Sequence, residues 1–138
     1  MMNSKGFTLI ELMIAVVVLS VLLAIAIPSY SQYVLRSNRT EAQAYLSDAA
    51  ARQERYFTQN NSYVTNTSDI SKLGISTLSR TGLYQLTVSA GNSSDGGFVL
   101  TATATGTQSR DKDCKALTLN AIGSRGFTGS GALNDCWR

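Results

Sequence analysis

The sequence contains no histidine, and its 138 residues include only two cysteines, one proline and one tryptophan. Histidine is the commonest general base near neutral pH and the commonest neutral metal ligand, so its absence argues against catalysis and against a metal centre. Two cysteines alone do not complete a tetrahedral metal site. We therefore expect that the chain is not an enzyme and holds no metal and no cofactor.

Charge is also sparse, because only 15% of the residues are charged. The 12 basic and 9 acidic side chains give a formal net charge of +3 and are scattered along the chain. Such a balance permits contact with an anionic surface without requiring one. Apolar residues, by contrast, form one run near the N-terminus, ahead of a remainder rich in Thr, Ser, Asn and Gly. This distribution predicts one apolar segment followed by one small globular head.

The apolar run covers residues 12–27, and Ser20 is its only polar residue. A helix over residues 7–27 would measure roughly 30 Å, the thickness of the hydrocarbon core of a bilayer. Three interpretations are open: a permanent transmembrane anchor, a conventional signal peptide, and a segment that enters the membrane and later packs elsewhere. Lys5 precedes the run and predicts that the N-terminus stays in the cytoplasm while the head is exported.

The conventional signal peptide fits less well than the other two interpretations. Ala24, Ile25 and Ala26 resemble a signal peptidase site. That site lies just before Pro28, however, and Glu11 places a charge where the apolar region of a signal peptide begins.

The stretch KGFTLIE at residues 5–11, followed by the apolar run, resembles the class III signal of type IV pilins and related pseudopilins. The resemblance implies that a prepilin peptidase cuts after Gly6 and methylates the new N-terminus at Phe7. It also implies a leader at 1–6, a transmembrane and filament-core helix at 7–28, and a globular pilin head at 29–138. Such a protein spans the inner membrane once with its head in the periplasm, and it joins a pilus on the cell surface after assembly.

Glu11 is explained by the amine that processing would create. Cleavage after Gly6 gives a cationic N-terminus at Phe7, one helical turn from Glu11. A carboxylate without a partner in apolar surroundings costs several kcal/mol or takes up a proton. We expect Glu11 to pair with this amine within one chain or between neighbouring subunits, and the second arrangement would set the register of assembly.

Pro28 ends the apolar run, and its missing N–H predicts a kink or a local break in the helix. Helical periodicity resumes beyond it, which predicts one long helix over residues 7 to about 57 that bends at Pro28. We expect Asp48 and Arg52 to form an i,i+4 ion pair. The predicted buried face contains Ala42, Tyr45, Leu46, Ala49, Gln53, Tyr56 and Phe57, and the predicted polar face contains Arg39, Asp48, Arg52 and Arg55.

The remainder predicts a small sheet. A polar connection with a short helical turn near residues 69–73 leads to strands at residues 83–89, 98–105 and 115–121. The Gly-rich stretch GNSSDGG predicts a hairpin turn between the first two strands. The fold class is therefore α+β, with the long helix packed on an antiparallel sheet of three to four strands.

Cys114 and Cys136 enclose a Gly-rich segment, and a disulfide is the first expectation for two cysteines in an exported head. A disulfide-bounded C-terminal region is also a feature of the pilin family. The amino-acid sequence resembles that of the minor, low-abundance pilins of pseudomonads over residues 37–63, 109–126 and 134–138. This resemblance implies a subunit that primes assembly and joins other minor pilins to the major pilin, in pili that support twitching motility and attachment.

Two alternatives share the N-terminal motif. A type II secretion pseudopilin often binds calcium through acidic loops, and Asp111 with Asp113 is the candidate pair, but their basic neighbours favour a solvated turn. A competence pilin would bind DNA, which we do not expect, because no basic stripe is visible in the sequence. The cations that such a site would use are Arg36, Arg39, Arg110, Lys112, Lys115, Arg125 and Arg138.

Overall fold

The computed structural model describes residues 6–137; the rest of the predicted leader, including Lys5, and Arg138 lie outside the described residues. The predicted α+β class is confirmed. The elements in chain order are α1 (Leu9–Asn60), β1 (Tyr84–Ala90), β2 (Phe98–Ala104), β3 (Ala116–Asn120), β4 (Arg125–Thr128) and α2 (Leu133–Cys136). Two 3-10 helices, Thr67–Leu73 and Gly106–Arg110, lie in the connections, the first at the predicted helical turn.

The described chain divides into two compact units, of which the first ends at Val34 and the second begins at Leu35. We call residues 6–34 the stem and residues 35–137 the head. Every stem residue from Gly6 to Tyr33 is exposed. The hydroxyl of Ser20 donates to the carbonyl of Val16 at 2.7 Å, so the one polar side chain of the apolar run is satisfied within its own helix.

α1 continues through Pro28 without a break, so the predicted single long helix is confirmed. A kink at Pro28 stays a prediction. In the head, α1 buries a stripe at three- and four-residue spacing, as an amphipathic helix does. That stripe contains Leu35, Arg39, Ala42, Leu46, Ala49 and Gln53.

The sheet has the order β1-β2-β3-β4, and each neighbouring pair is antiparallel. The three predicted strands are confirmed, with ends that differ by at most one residue. β4 lies in the Gly-rich segment, where the alternation of apolar and polar residues is too weak to predict a strand. Gly126 is required there, because a Cβ on it would lie 2.5 Å from Thr118 Oγ1 on β3.

The core of the head lies between α1 and one face of the sheet. Ala42 and Ala49 of α1 are fully buried and belong to the same core as the strand side chains. Each large apolar side chain that is buried here contributes about 2 kcal/mol through the hydrophobic effect. The strands contribute Tyr84, Leu86, Phe98, Leu100 and Leu117. The connection after α1 closes the core with Val64, Ile70 and Leu73.

Candidate assembly site and the buried anchor of the head

Gly6 and Phe7 lie ahead of the first turn of α1, and both are exposed. Among residues 6–137, no atom outside the neighbouring residues lies within 4 Å of the position that a Cβ on Gly6 would occupy. The predicted scissile bond is therefore accessible backbone outside the helix. Cleavage after Gly6 and methylation of Phe7 stay predictions.

Glu11 lies in the first turn of α1, where the exposed N–H groups of a helix favour a negative charge. Its own amide donates to Thr8 Oγ1 at 3.3 Å, so Thr8 caps the helix. Sequence reasoning missed this role of Thr8, although the spacing Thr-x-x-Glu is the signature of a capping box. Pairing of Glu11 with the amine at Phe7 stays a prediction, because that amine exists only after cleavage.

Cys114 and Cys136 form the expected disulfide, with Cα atoms 5.6 Å apart. Both residues are completely buried. The bond joins the start of β3 to the end of α2, across the segment that contains β4. It therefore holds the Gly-rich part of the head against the core.

The prediction that Arg39 lies on the polar face of the helix is wrong, because this residue is only 3% exposed. Its Nε donates to Asp111 Oδ2 and its Nη2 donates to Asp111 Oδ1, both at 2.7 Å. Two parallel bonds of this kind are the strongest form of guanidinium–carboxylate pairing. The hydrogen bond with Asp111 raises the pKa of Arg39 further above its ordinary value.

The prediction that Asp111 lies in a solvated turn is wrong, because this residue is only 1% exposed. Besides Arg39, its carboxylate accepts from Gln108 Nε2 and from the amide of Cys114, both at 3.2 Å. A buried charge is tolerated when it is paired and when its remaining hydrogen-bond sites are filled. The basic neighbours in the sequence gave no hint of a partner on α1, which is 72 residues away along the chain.

Two α1 side chains also hold the backbone of the C-terminal turn. Arg39 Nη1 donates to the carbonyl of Asp135 at 2.9 Å, and Gln43 Nε2 donates to the carbonyl of Cys136 at 2.8 Å. We call Arg39, Gln43, Gln108 and Asp111 the head anchor. It fastens α2 and the loop before β3 to one turn of α1, beside the disulfide.

Tyr84 lies next to the head anchor and is completely buried. Its hydroxyl has no hydrogen-bond partner among the described residues. Burial raises the pKa of Tyr84 well above its ordinary range, and the nearby negative charge of Asp111 adds to that effect.

Asp113 remains at the surface. Its Oδ1 accepts from Ser130 Oγ at 3.1 Å, and its Oδ2 lies 3.9 Å from Arg39 Nη2. Since the carboxylate of Asp111 is buried and bonded within the head anchor, it does not form a calcium pair with the carboxylate of Asp113. Within residues 6–137, no group of three or more Asp, Glu, His or Cys residues is placed to hold a metal ion.

The set of cations that a DNA-binding site would use loses one member, because Arg39 is buried and paired. Arg125 lies over the ring of Trp137, 5.1 Å from its centroid, and the indole N–H donates to the carbonyl of Gly126 at 2.8 Å. The predicted pair of Asp48 with Arg52 is confirmed, at 2.9 Å on an open helix face. The candidate cations that stay exposed are Arg36, Arg110, Lys112, Lys115 and Arg125.

Two family profiles match the chain. Residues 1–27 match the prokaryotic N-terminal methylation motif, and residues 28–118 match the family described as type IV minor pilin ComP, DNA uptake sequence receptor. The chain belongs to the type IV pilin family. Membership confirms the resemblance carried by the N-terminal motif, and with that motif it implies processing by a prepilin peptidase and assembly with other pilins.

Several known pilins are similar to this chain. The type IV wide pilus major component PilA4 of Thermus thermophilus is 38% identical over 93 residues, which cover 67% of this chain and 71% of that protein. The type IV major pilin protein PilA of Myxococcus xanthus is 39% identical over 61 residues, 44% of this chain and 28% of that protein. A solved type IV pilin from Shewanella oneidensis is 26% identical and matches 66% of this chain and 89% of that chain, with a TM-score of 0.46.

Proposed function

We propose that this chain is a minor pilin, a structural subunit that helps prime pilus assembly and links other minor pilins to the major pilin. The observation that carries the proposal is the stem, in which an apolar helix exposed on all sides follows the processing motif and carries Glu11 near its start. Apolar surface of this extent requires lipid or other helices around it. The proposal keeps the predicted leader 1–6, helix 7–28 and head 29–138, and it assigns the chain no reaction of its own.

The minor role rests on two resemblances. Residues 37–63, 109–126 and 134–138 resemble the pseudomonad minor pilin PilE, and the family profile that covers most of the head is described as a minor pilin. The relatives from Thermus and Myxococcus are named as major pilins, so the abundance of the subunit must be measured. We expect a small fraction of the major pilin in purified pili, and we expect that deletion of this chain reduces pilus number. Abundance equal to that of the major pilin would reassign it as the major subunit.

Charge pairing at Glu11 can be tested in cells with matched variants. We expect Glu11→Gln to be processed and inserted into the membrane but to be depleted in sheared pili, because the neutral amide cannot pair with the amine of Phe7. Glu11→Asp keeps the charge and serves as the control. Gly6→Val should block processing itself, which immunoblots detect as the longer form. Normal incorporation of Glu11→Gln would show that the charge pair is not needed for assembly.

A second candidate function is DNA binding during competence. One observation favours it: the profile that matches residues 28–118 is described as a DNA uptake sequence receptor. Against it, the described cations include one that is buried in the head anchor and one that lies over Trp137. We expect a gel shift with the head to give only weak, salt-sensitive retardation that does not depend on sequence. Retardation of one sequence at physiological salt, lost in Arg110→Ala/Lys112→Ala, would establish the competence role instead.

The third possibility is a type II secretion pseudopilin with the same N-terminal chemistry. The relatives described above are named as pilus components, which favours the pilus. Detection of the chain in sheared pili separates the two systems.

A further inference from the structure

Two tyrosines follow the apolar run and have no part in the assembly site or the head anchor. Tyr30 and Tyr33 are each 70% exposed, and both belong to the stem. Their spacing of three residues puts them on the same side of α1. The residues around and between them, Ser29, Ser31 and Gln32, are polar and exposed, so the surface changes from apolar to mixed immediately after Ile27.

The distances along the helix fit the layers of a bilayer. The apolar segment of residues 7–27 is roughly 30 Å long and matches the hydrocarbon core. At 1.5 Å per residue, Tyr30 lies about 4.5 Å and Tyr33 about 9 Å beyond Ile27 along the axis. The polar layer on each side of a bilayer is about 5–8 Å thick. With Ile27 at the edge of the hydrocarbon, Tyr30 therefore lies within the headgroup layer and Tyr33 at its outer margin.

The chemistry of tyrosine suits this position, because its ring has an apolar body and a polar hydroxyl. Tyrosine and tryptophan are enriched where hydrocarbon meets headgroups, and they fix the depth of a spanning helix.

We propose that Tyr30 and Tyr33 form an interfacial anchor that contacts lipid headgroups of the outer leaflet and fixes the depth of the stem before assembly. The inference rests on the proposed function, since it requires that the stem spans a membrane. The two tyrosines would set the depth of the stem in the membrane from its exported end, whereas the processing motif lies at the other end. A fixed depth holds Glu11 and the Gly6–Phe7 bond at a constant level near the other surface.

The depth of each position can be measured by fluorescence quenching. The full chain is reconstituted into vesicles of phosphatidylethanolamine and phosphatidylglycerol that contain lipids spin-labelled either near the headgroup or deep in the acyl chain. Tyr30→Trp and Tyr33→Trp are compared with Ile14→Trp, and the unchanged chain supplies the background from Trp137. We expect the shallow label to quench positions 30 and 33 more strongly and the deep label to quench position 14 more strongly.

A second experiment tests whether the tyrosines determine the depth. Ile27→Trp serves as a depth reporter in three backgrounds: unchanged, Tyr30→Ala/Tyr33→Ala, and the matched control Ser31→Ala/Gln32→Ala. We expect the ratio of shallow to deep quenching at position 27 to shift only when the tyrosines are removed. An unshifted ratio in the tyrosine variant would overturn the anchor, as would an equal shift in the control.

The two proposals fail in different ways. If Ile14→Trp is quenched by neither label, the stem does not span the bilayer, and the proposed function fails with the anchor. If Ile14→Trp is quenched by the deep label while positions 30 and 33 escape the shallow one, only the anchor fails. In that case the tyrosines are free to contact other pilins instead.

Discussion

The stem and the head each contain a charged side chain in apolar surroundings, and they treat it differently. In the head, Arg39 is 3% exposed and its guanidinium bonds to Asp111 and to the carbonyl of Asp135. In the stem, the side chain of Glu11 forms no hydrogen bond or ion pair with residues 6–137. The head pairs its buried charge with its own residues, whereas the stem leaves Glu11 for the amine predicted at Phe7, either of the same chain or of a neighbour.

The same contrast holds for apolar surface. The head encloses most of its large apolar side chains between α1 and the sheet, while every large apolar side chain of the stem before Val34 is exposed. We therefore expect the head to fold as a soluble fragment of residues 29–138, because its core lies within residues 35–137. Substitutions in the head should change its free energy of unfolding, and substitutions in the stem should change insertion or assembly.

The largest effect is expected at the head anchor. Asp111→Ala should lower the free energy of unfolding by about 3–5 kcal/mol, because it leaves the guanidinium of Arg39 buried without its partner. The exposed pair is the control, since Asp48→Ala, which removes only the carboxylate that Arg52 contacts at the surface, should cost no more than about 1 kcal/mol. Urea unfolding of the head measures both. Equal costs would show that burial does not distinguish the two pairs.

Removal of the disulfide should come next. Cys114→Ala/Cys136→Ala should destabilise the head by about 3 kcal/mol, as expected for a closed loop of this length. The variant should still fold, because Arg39 and Gln43 continue to hold the carbonyls of Asp135 and Cys136. Reduction of the unchanged head should give the same urea midpoint, and a midpoint unaffected by reduction would contradict the expected contribution.

Gly129 tests how tightly the segment inside the disulfide is packed. Its φ is +136°, and a Cβ there would lie 2.2 Å from the carbonyl oxygen of Asp113. Gly129→Ala should cost at least about 2 kcal/mol. Gly106 also has a positive φ but has open space around it, so Gly106→Ala should cost only about 1 kcal/mol. Thermal unfolding of the two variants compares the combined cost of backbone strain and steric overlap at Gly129 with the cost of a left-handed backbone alone at Gly106.

The smallest effect at neutral pH is expected at Tyr45. Burial raises its pKa to about 12 from the ordinary value of 10.0, and its hydroxyl donates to the carbonyl of Ser76. Because its pKa is raised, the folded state holds the phenol proton of Tyr45 more tightly than the unfolded state does. The resulting contribution to the free energy of unfolding is complete below pH 10 and is lost as the pH rises toward 12. Tyr45→Phe should flatten the decline in urea midpoint over that interval. If the urea midpoint of the variant declines as steeply as that of the unchanged head, groups other than Tyr45 cause the decline.

Periodic patterns predicted most of the fold. α1 and the first three strands follow from the spacing of apolar residues, and the motif at residues 5–11 pointed to the family. The head anchor was not predictable, because a helical wheel places an arginine toward water unless its partner is known. β4 was also missed, since Gly126 owes its place to the approach of Thr118, a contact that the local sequence does not encode.

The separation of the anchor's parts along the chain delays completion of the head during synthesis. Arg39 must wait for partners 72 and 96 residues later in the sequence before its charge is compensated. Until those residues have been synthesised, the helix face around Arg39 has neither its sheet nor its counter-ion. Long-range closure of this kind slows folding and prolongs the exposure of apolar surface. The newly made head therefore exists for a time as an unfinished helix that follows the stem.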